Sequence, residues 1–262
     1  MSFFQRPDGD IHYEVTGEGP PLALVSGLGG AGGYWNNIVP MLARHFTVVL
    51  HDHMGTGKSV SRRTRHSVDA LAEDIDALMT HLGHARYSLV GHSTGAAVGQ
   101  VLAADRPRRI DRLVLFAGWA GPDRHFELCF AVRKTALERV GVVAYNEATP
   151  IFLYPPLWIS RNPDALASII KLFNDTSPPA DVMAARIDMI VAFDRRGTTP
   201  SITAPTLVIC ARDDILTPPH LSEELAALIP DAQLKLLDYG AHACSQVVAD
   251  EFLASVLPFL RA

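Results

Sequence analysis

Residues 86–105 read RYSLVGHSTGAAVGQVLAAD. The apolar run Leu89-Val90 sits in a short strand-like segment, and Thr94 onward is rich in small residues at helical spacing. Between them Gly91-His92-Ser93-Thr94-Gly95 matches Gly-x-Ser-x-Gly. A serine on a sharp strand-to-helix turn is strained, and its hydroxyl stands at the carboxyl end of a sheet. The helix behind it favours developing negative charge. An ordinary capping turn would use the same residue types, so the rest of the chain must decide whether Ser93 is a nucleophile.

Outward from this stretch, strands and helices alternate. PPLALVSGLGG (20–30) is a buried strand entering a glycine loop, and HFTVVLHDHMGTGKS (45–59) is another. FFQRPDGDIHYEVTG (3–17) reads as two short strands about Pro7-Asp8-Gly9-Asp10. In SVDALAEDIDALMTHLG, Val68, Leu71, Ile75, Leu78 and Leu82 share one helical face, with Ser67 as cap and Gly83 as stop. IDRLVLFAG (110–118) is the next strand. The rhythm stops after Gly121, turns helical through Pro200, and resumes at APTLVICARDD (204–214) and AQLKLLDYGAH (232–242), with DEFLASVLPFL as a last helix. The expected fold is therefore α/β: a mostly parallel central sheet flanked by helices, with an inserted helical cap. Residues 1–121 and 201–262 are expected to form the core and 122–200 the cap.

Composition narrows the function classes. The chain has 262 residues, 48% hydrophobic and 19% charged, with a net charge of −5. The only basic patch is SRRTRH at 61–66, so no nucleic acid partner is expected. No apolar run approaches the roughly 20 residues of a spanning helix. The first residues, MSFFQRPDGDIHYE, lack the charged and apolar regions of a secretory leader. Cys129, Cys210 and Cys244 are odd in number, with no CxxC spacing, which suits a reducing, cytoplasmic setting. The expected partner is a small-molecule substrate, with no membrane; a homodimer is compatible with this composition.

A nucleophilic serine needs a base and oxyanion donors. Asp213 and Asp214 lie at a later strand exit, and His242 follows the last strand beside Gly240 and Ala241. The chain order serine, acid, histidine suits the elbow. No cofactor or metal is expected. His51 and His53 have no third ligand at useful spacing. His92 suits a turn side chain better than a second base. SGLGGAGG and MGTGKS both lack the full phosphate-loop pattern.

This constellation resembles the α/β-hydrolase family over nearly the whole chain. The family's acid stands four residues before a proline; Asp214 and Pro218 have that spacing, which favours Asp214 over Asp213. The resemblance also implies Leu28 and Thr94 as backbone donors of the oxyanion hole. Ser26-Gly27 stands where the family usually has His-Gly, and HDHMGTGKS resembles a structural loop. The segments SGLGGAGGYWNNIVPMLARHFTVVLHDHMGTGKS, FELCFAVRKTAL, TPIFLYPPLWIS and LVICARDDILTP are similar to the RutD-type aminoacrylate (carbamate) hydrolases of pyrimidine degradation. That resemblance implies a small acyl substrate: an amide, carbamate, enamine or ester. A carboxylesterase or enol-lactonase, a carbon–carbon bond hydrolase, and a non-catalytic ligand receptor on the same fold are the other readings. Trp35, Trp119, Arg133, Tyr154 and Trp158 are the expected substrate contacts, with Arg133 as the anchor for a carboxylate; ordinary packing is the competing role for each.

Overall fold

The apolar runs become strands in the computed structural model, which describes residues 2–262. The strands are β1 (Ser2–Arg6), β2 (Gly9–Thr16), β3 (Pro21–Val25), β4 (Thr47–His51), β5 (Val60–Ser61), β6 (Tyr87–His92), β7 (Ile110–Phe116), β8 (Thr206–Ala211) and β9 (Gln233–Leu237). The α-helices are α1 (Val39–Leu42), α2 (Val68–His81), α3 (Thr94–Asp105), α4 (Arg124–Arg139), α5 (Val142–Leu153), α6 (Pro156–Arg161), α7 (Pro163–Thr176), α8 (Ala180–Val191), α9 (Pro219–Leu228), α10 (Cys244–Val247) and α11 (Ala249–Arg261).

The sheet runs β1-β2-β4-β3-β6-β7-β8-β9, with β5 appended to β2. From β4 to β9 every neighbouring pair is parallel; the pairings of β2 with β1, β4 and β5 are antiparallel. Parallel strands are buried on both faces, and their side chains alternate between two cores. Leu89, Leu113 and Leu115 enter one core with α2 and α3, whereas Val90, Val114 and Phe116 enter the other with α11. On α2 the Ser67 Oγ accepts from the Ala70 N–H at 3.1 Å, and Gly83 ends the helix at φ +82°.

The chain crosses from β4 on one side of β3 to β6 on the other. Loops leaving the carboxyl ends of β3 and β6 therefore diverge and open a crevice between them, where ligands bind in such sheets. Helices α4 to α8 are inserted between β7 and β8, and α4 packs on α5 and α8. Phe126, Phe130, Ile187 and Ile190 of this insert join the same core as Trp119.

Two details differ from the sequence reading. The two-residue β5 and helix α9 were not anticipated; β5 is too short to carry a periodic signal. The last strand is also shorter than the segment 232–242, ending at Leu237, and Gly240 (φ +128°) and Ala241 (φ +50°) shape the loop that carries His242 after it, as the sequence reading placed it. Among the described residues, no single helix is long and apolar enough to cross a membrane.

Candidate active site

The elbow at Ser93 is built by close approach. Ser93 has φ 54° and ψ −112°, a conformation that strains an L-residue. Its N–H donates to the Phe116 carbonyl at 2.8 Å, which ties the turn to β7. A Cβ on Gly91 would lie 2.1 Å from the Gly95 carbonyl oxygen, and one on Gly95 would lie 2.1 Å from that of Val25. Both glycines are thus required for helix α3 to sit directly over β3 and β6.

Two further loops converge on this end of the sheet. The β8 and β9 strands pair to Ala211 and Leu237, so the loops with Asp214 and His242 leave side by side. His242 Nδ1 is 2.8 Å from Asp214 Oδ2. The carboxylate accepts, so Nδ1 carries the proton and Nε2 is left as the basic nitrogen. Asp214 is itself held. Its Oδ1 accepts from the Leu216 and Thr217 N–H groups at 2.8 and 3.0 Å, and its Oδ2 lies 2.9 Å from Thr217 Oγ1. Thr217 Oγ1 also lies 3.1 Å from His242 Nδ1 and 3.1 Å from the Ala117 carbonyl. Asp213 does not hold the imidazole. It is more than a solvated loop carboxylate, however: it accepts from Ala241 and Gly240 N–H at 2.8 and 3.3 Å.

Ser93 and His242 line one cavity of about 190 Å³, and Leu28 lines it too. The Leu28 N–H has no acceptor among the described residues. Thr94 is the first residue of α3, where an N–H has no carbonyl a turn before it. Thr94 directly follows Ser93 in the chain, and Leu28 lines the same cavity as Ser93. His92 also lines the cavity, stacked between Tyr34 and Phe116 with ring centroids 4.5 Å from each. Its Nε2 donates to the His242 carbonyl at 3.0 Å. Burial holds its pKa well below the usual histidine value, and its hydrogen bond to the His242 carbonyl props the loop that carries His242.

The expected substrate contacts divide. Arg133 and Tyr154 line the cavity; Trp35, Trp119 and Trp158 do not. Trp35 is wholly buried in the second core near Phe116, while its neighbour Tyr34 turns toward the cavity. Trp119 is wholly buried against Phe126 and Phe193. Trp158 stacks on Tyr154 at 4.7 Å from outside the cavity. Tyr154 in turn donates to Gln246 Oε1 at 2.7 Å, joining the insert to α10.

Arg133 is 6% exposed and has no carboxylate partner among the described residues. Its Nη2 donates to Tyr145 Oη at 2.8 Å and to Thr149 Oγ1 at 3.4 Å, while its buried Nε has no partner. The guanidinium lies 5.0–5.5 Å from the ring centroids of Phe130, Tyr145 and Phe152. Three cation–π contacts at about 0.5–2 kcal/mol each offset only part of the several kcal/mol that a buried charge costs.

Sequence reasoning missed Thr217, Tyr145 and Arg186. Thr217 was legible as the third residue after Asp214, in reach of an Asx-type turn. Arg186 was legible as a charge on the apolar stripe Met183, Ile187, Ile190. Among the described residues no group of three or more His, Cys, Asp or Glu side chains could hold one metal ion, and His51 and His53 simply stack at 5.3 Å.

The comparisons agree with this architecture. A family model described as alpha/beta hydrolase fold matches residues 20–141. A protein of Azorhizobium caulinodans named "Putative carbamate hydrolase RutD" is 38% identical, covering 99% of this chain and 98% of that one. A protein of the same name from Caulobacter sp. strain K31 is 37% identical over 96% and 94%. The enol-lactonase of Burkholderia xenovorans LB400 superposes with a TM-score of 0.92 at 28% identity, with 100% of both chains covered. The strained serine elbow, the acid and histidine on adjacent strand exits and the full-length likeness to these proteins together mean that the chain belongs to the α/β-hydrolase family, among relatives of the RutD type.

Proposed function

We propose that this protein is a serine hydrolase of small acidic acyl substrates, amides, carbamates or esters, acting through an acyl-enzyme on Ser93. The observation that carries this reading is one small cavity bounded by Ser93, by the His242–Asp214 pair and by a buried Arg133 without a counter-ion. His242 Nε2 takes the Ser93 hydroxyl proton as Oγ bonds to the substrate carbonyl carbon. Asp214 stabilises the imidazolium without taking its proton. The Leu28 and Thr94 N–H groups bind the oxyanion. Collapse breaks the bond to the leaving nitrogen or oxygen, which takes the proton from His242. Water then attacks the acyl carbon, His242 receives its proton, and the carbon–Oγ bond breaks to free the acid and return the proton to Ser93.

Residues 122–200 serve as the cap in this reading, over a core of 1–121 and 201–262. Their contribution is the Arg133 box, suited to a carboxylate in a cavity too small for a long acyl chain. We read the protein as cytoplasmic on the strength of three unpaired cysteines. The likeness to an enol-lactonase over the full chain supports lactone opening as a second reading of the same site.

The test is a hydrolysis panel of p-nitrophenyl esters, small amides, carbamates and enol-lactones with wild type and Ser93→Ala. Best turnover on short acidic amides or carbamates, lost in Ser93→Ala, is expected. Retained activity in Ser93→Ala would replace the acyl-enzyme with water attack assisted by His242.

A further inference from the structure

The oxyanion loop after β3 is closed on itself by Ser26 Oγ, which donates to the Ala31 carbonyl at 2.8 Å, and is pinned in three further places. Gly30 N–H donates to the Gly27 carbonyl at 2.9 Å, and His53 N–H donates to the Gly30 carbonyl at 2.8 Å. The third pin comes from the insert. Arg186 on α8 is wholly buried, and its Nε and Nη2 both donate to the Leu28 carbonyl at 3.1 and 2.7 Å. Nη2 also lies 3.0 Å from His53 Nδ1. Burial keeps His53 neutral, so its Nδ1 can accept while Nε2 carries the proton. Gly30, at φ +73°, leaves the passage: a Cβ there would lie 3.0 Å from Arg186 Nη2 and 2.5 Å from Thr56 Oγ1.

No carboxylate pairs with Arg186, and its Nη1 meets no partner among the described residues. Burial pulls its pKa down to about 10, which leaves it cationic at neutral pH. An unpaired buried charge costs several kcal/mol, and an apolar side chain would join α8 to the core at less cost. Its position at Leu28 accounts for an arginine here. Two donors from one planar fork fix both the place and the tilt of that carbonyl. The same residue's N–H has no other acceptor.

We propose that Arg186 is a positioning residue: its two-donor grip on the Leu28 carbonyl fixes the peptide plane that follows Leu28, and together with the Gly30 N–H on the Gly27 carbonyl, which fixes the plane before it, holds the Leu28 N–H toward the developing oxyanion, so that the insert completes the oxyanion hole. This rests on the acyl-transfer reading above.

Arg186→Lys and Arg186→Met are compared with wild type on the best substrate of the panel, with thermal melts to establish folding. Losing one oxyanion donor outright costs about 10²–10³ in kcat. Misaiming one is therefore expected to cost roughly 10–100-fold in kcat for Arg186→Lys, with KM within about threefold. A boronic acid that forms a tetrahedral anion on Ser93 should lose affinity in parallel, while the reaction's planar carboxylate product keeps its own. Should Arg186→Met not fold, Arg186→Lys carries the test alone. Wild-type kcat and boronate affinity in a folded Arg186→Lys, or a rise in KM alone, would overturn the proposal. The Ser93→Ala control separates the two ideas: activity surviving there removes the acyl-enzyme, whereas its loss leaves the Arg186 result to judge the positioning role.

Discussion

Asp213 Oδ1 accepts the Ala241 N–H at 2.8 Å, one residue before the histidine whose ring is held by Asp214 Oδ2 at 2.8 Å. Two adjacent carboxylates thus act on two adjacent residues, one on the backbone and one on the imidazole. Because only Asp214 touches the ring, Asp214→Asn should lower kcat by about 10⁴, the scale of a lost imidazole orienter. Asp213→Asn keeps an amide oxygen for Ala241 and should cost about tenfold or less, on the scale of one hydrogen bond. Steady-state kcat for the two variants decides the ranking, and the reverse order would transfer the acid's role to Asp213.

Ser93→Ala should reduce kcat by about 10⁴–10⁶ with the fold intact. A fluorophosphonate should add one label to the wild type and none to this variant, by intact-mass measurement. Labelling that persists in Ser93→Ala would point to a different nucleophile.

Arg133→Ala should raise KM for short acidic substrates by roughly 10–100-fold, the scale of a charge-assisted hydrogen bond of about 1.5–3 kcal/mol. Neutral isosteres should be nearly unaffected, and Arg133→Lys should recover part of the loss. Equal effects on acidic and neutral substrates would mean that Arg133 only packs against Phe130, Tyr145 and Phe152. Preference for long neutral esters, with no effect at Arg133, would leave a general esterase as the better account.

Stability should fall with acid in a defined window. Burial lowers the His51 pKa from 6.5 to about 4 and holds His53 and His92 well below 6.5. The unfolded chain therefore binds more protons than the fold below pH 6.5, so stability is full above that pH and declines toward pH 4. Each such histidine contributes a slope of about 1.4 kcal/mol per pH unit within its window. Urea unfolding at pH 7, 6 and 5 should show this decline, and a pH-independent midpoint would contradict it.

How much of this was readable in advance depended on the range of the interaction. Gly91, Ser93 and Gly95 announce a turn because sterics within five residues dictate it. The period of α2 announces a helix because its buried face repeats along one segment. The aromatics were less legible. Tyr34 and Trp35 are neighbouring aromatic residues, and only the direction of one short turn sends the first to the cavity and the second to the core. Arg133 and Arg186 interrupt apolar stripes on α4 and α8, which marks both as unusual without saying what each one meets.

The sequence by itself determined the alternation of strands and helices, the interruption by a helical insert, and the order of Ser93, the Asp213-Asp214 pair and His242. These follow from backbone sterics, apolar periodicity and loop position, all of which act over a few residues. Only the tertiary structure decided that Asp214 rather than Asp213 meets the imidazole, that Thr217 braces the pair, and that Arg186 reaches from α8 to the Leu28 carbonyl. The last contact spans 158 residues of chain. Such a contact exists only where the fold brings α8 against the loop after β3, and no local pattern encodes that distance.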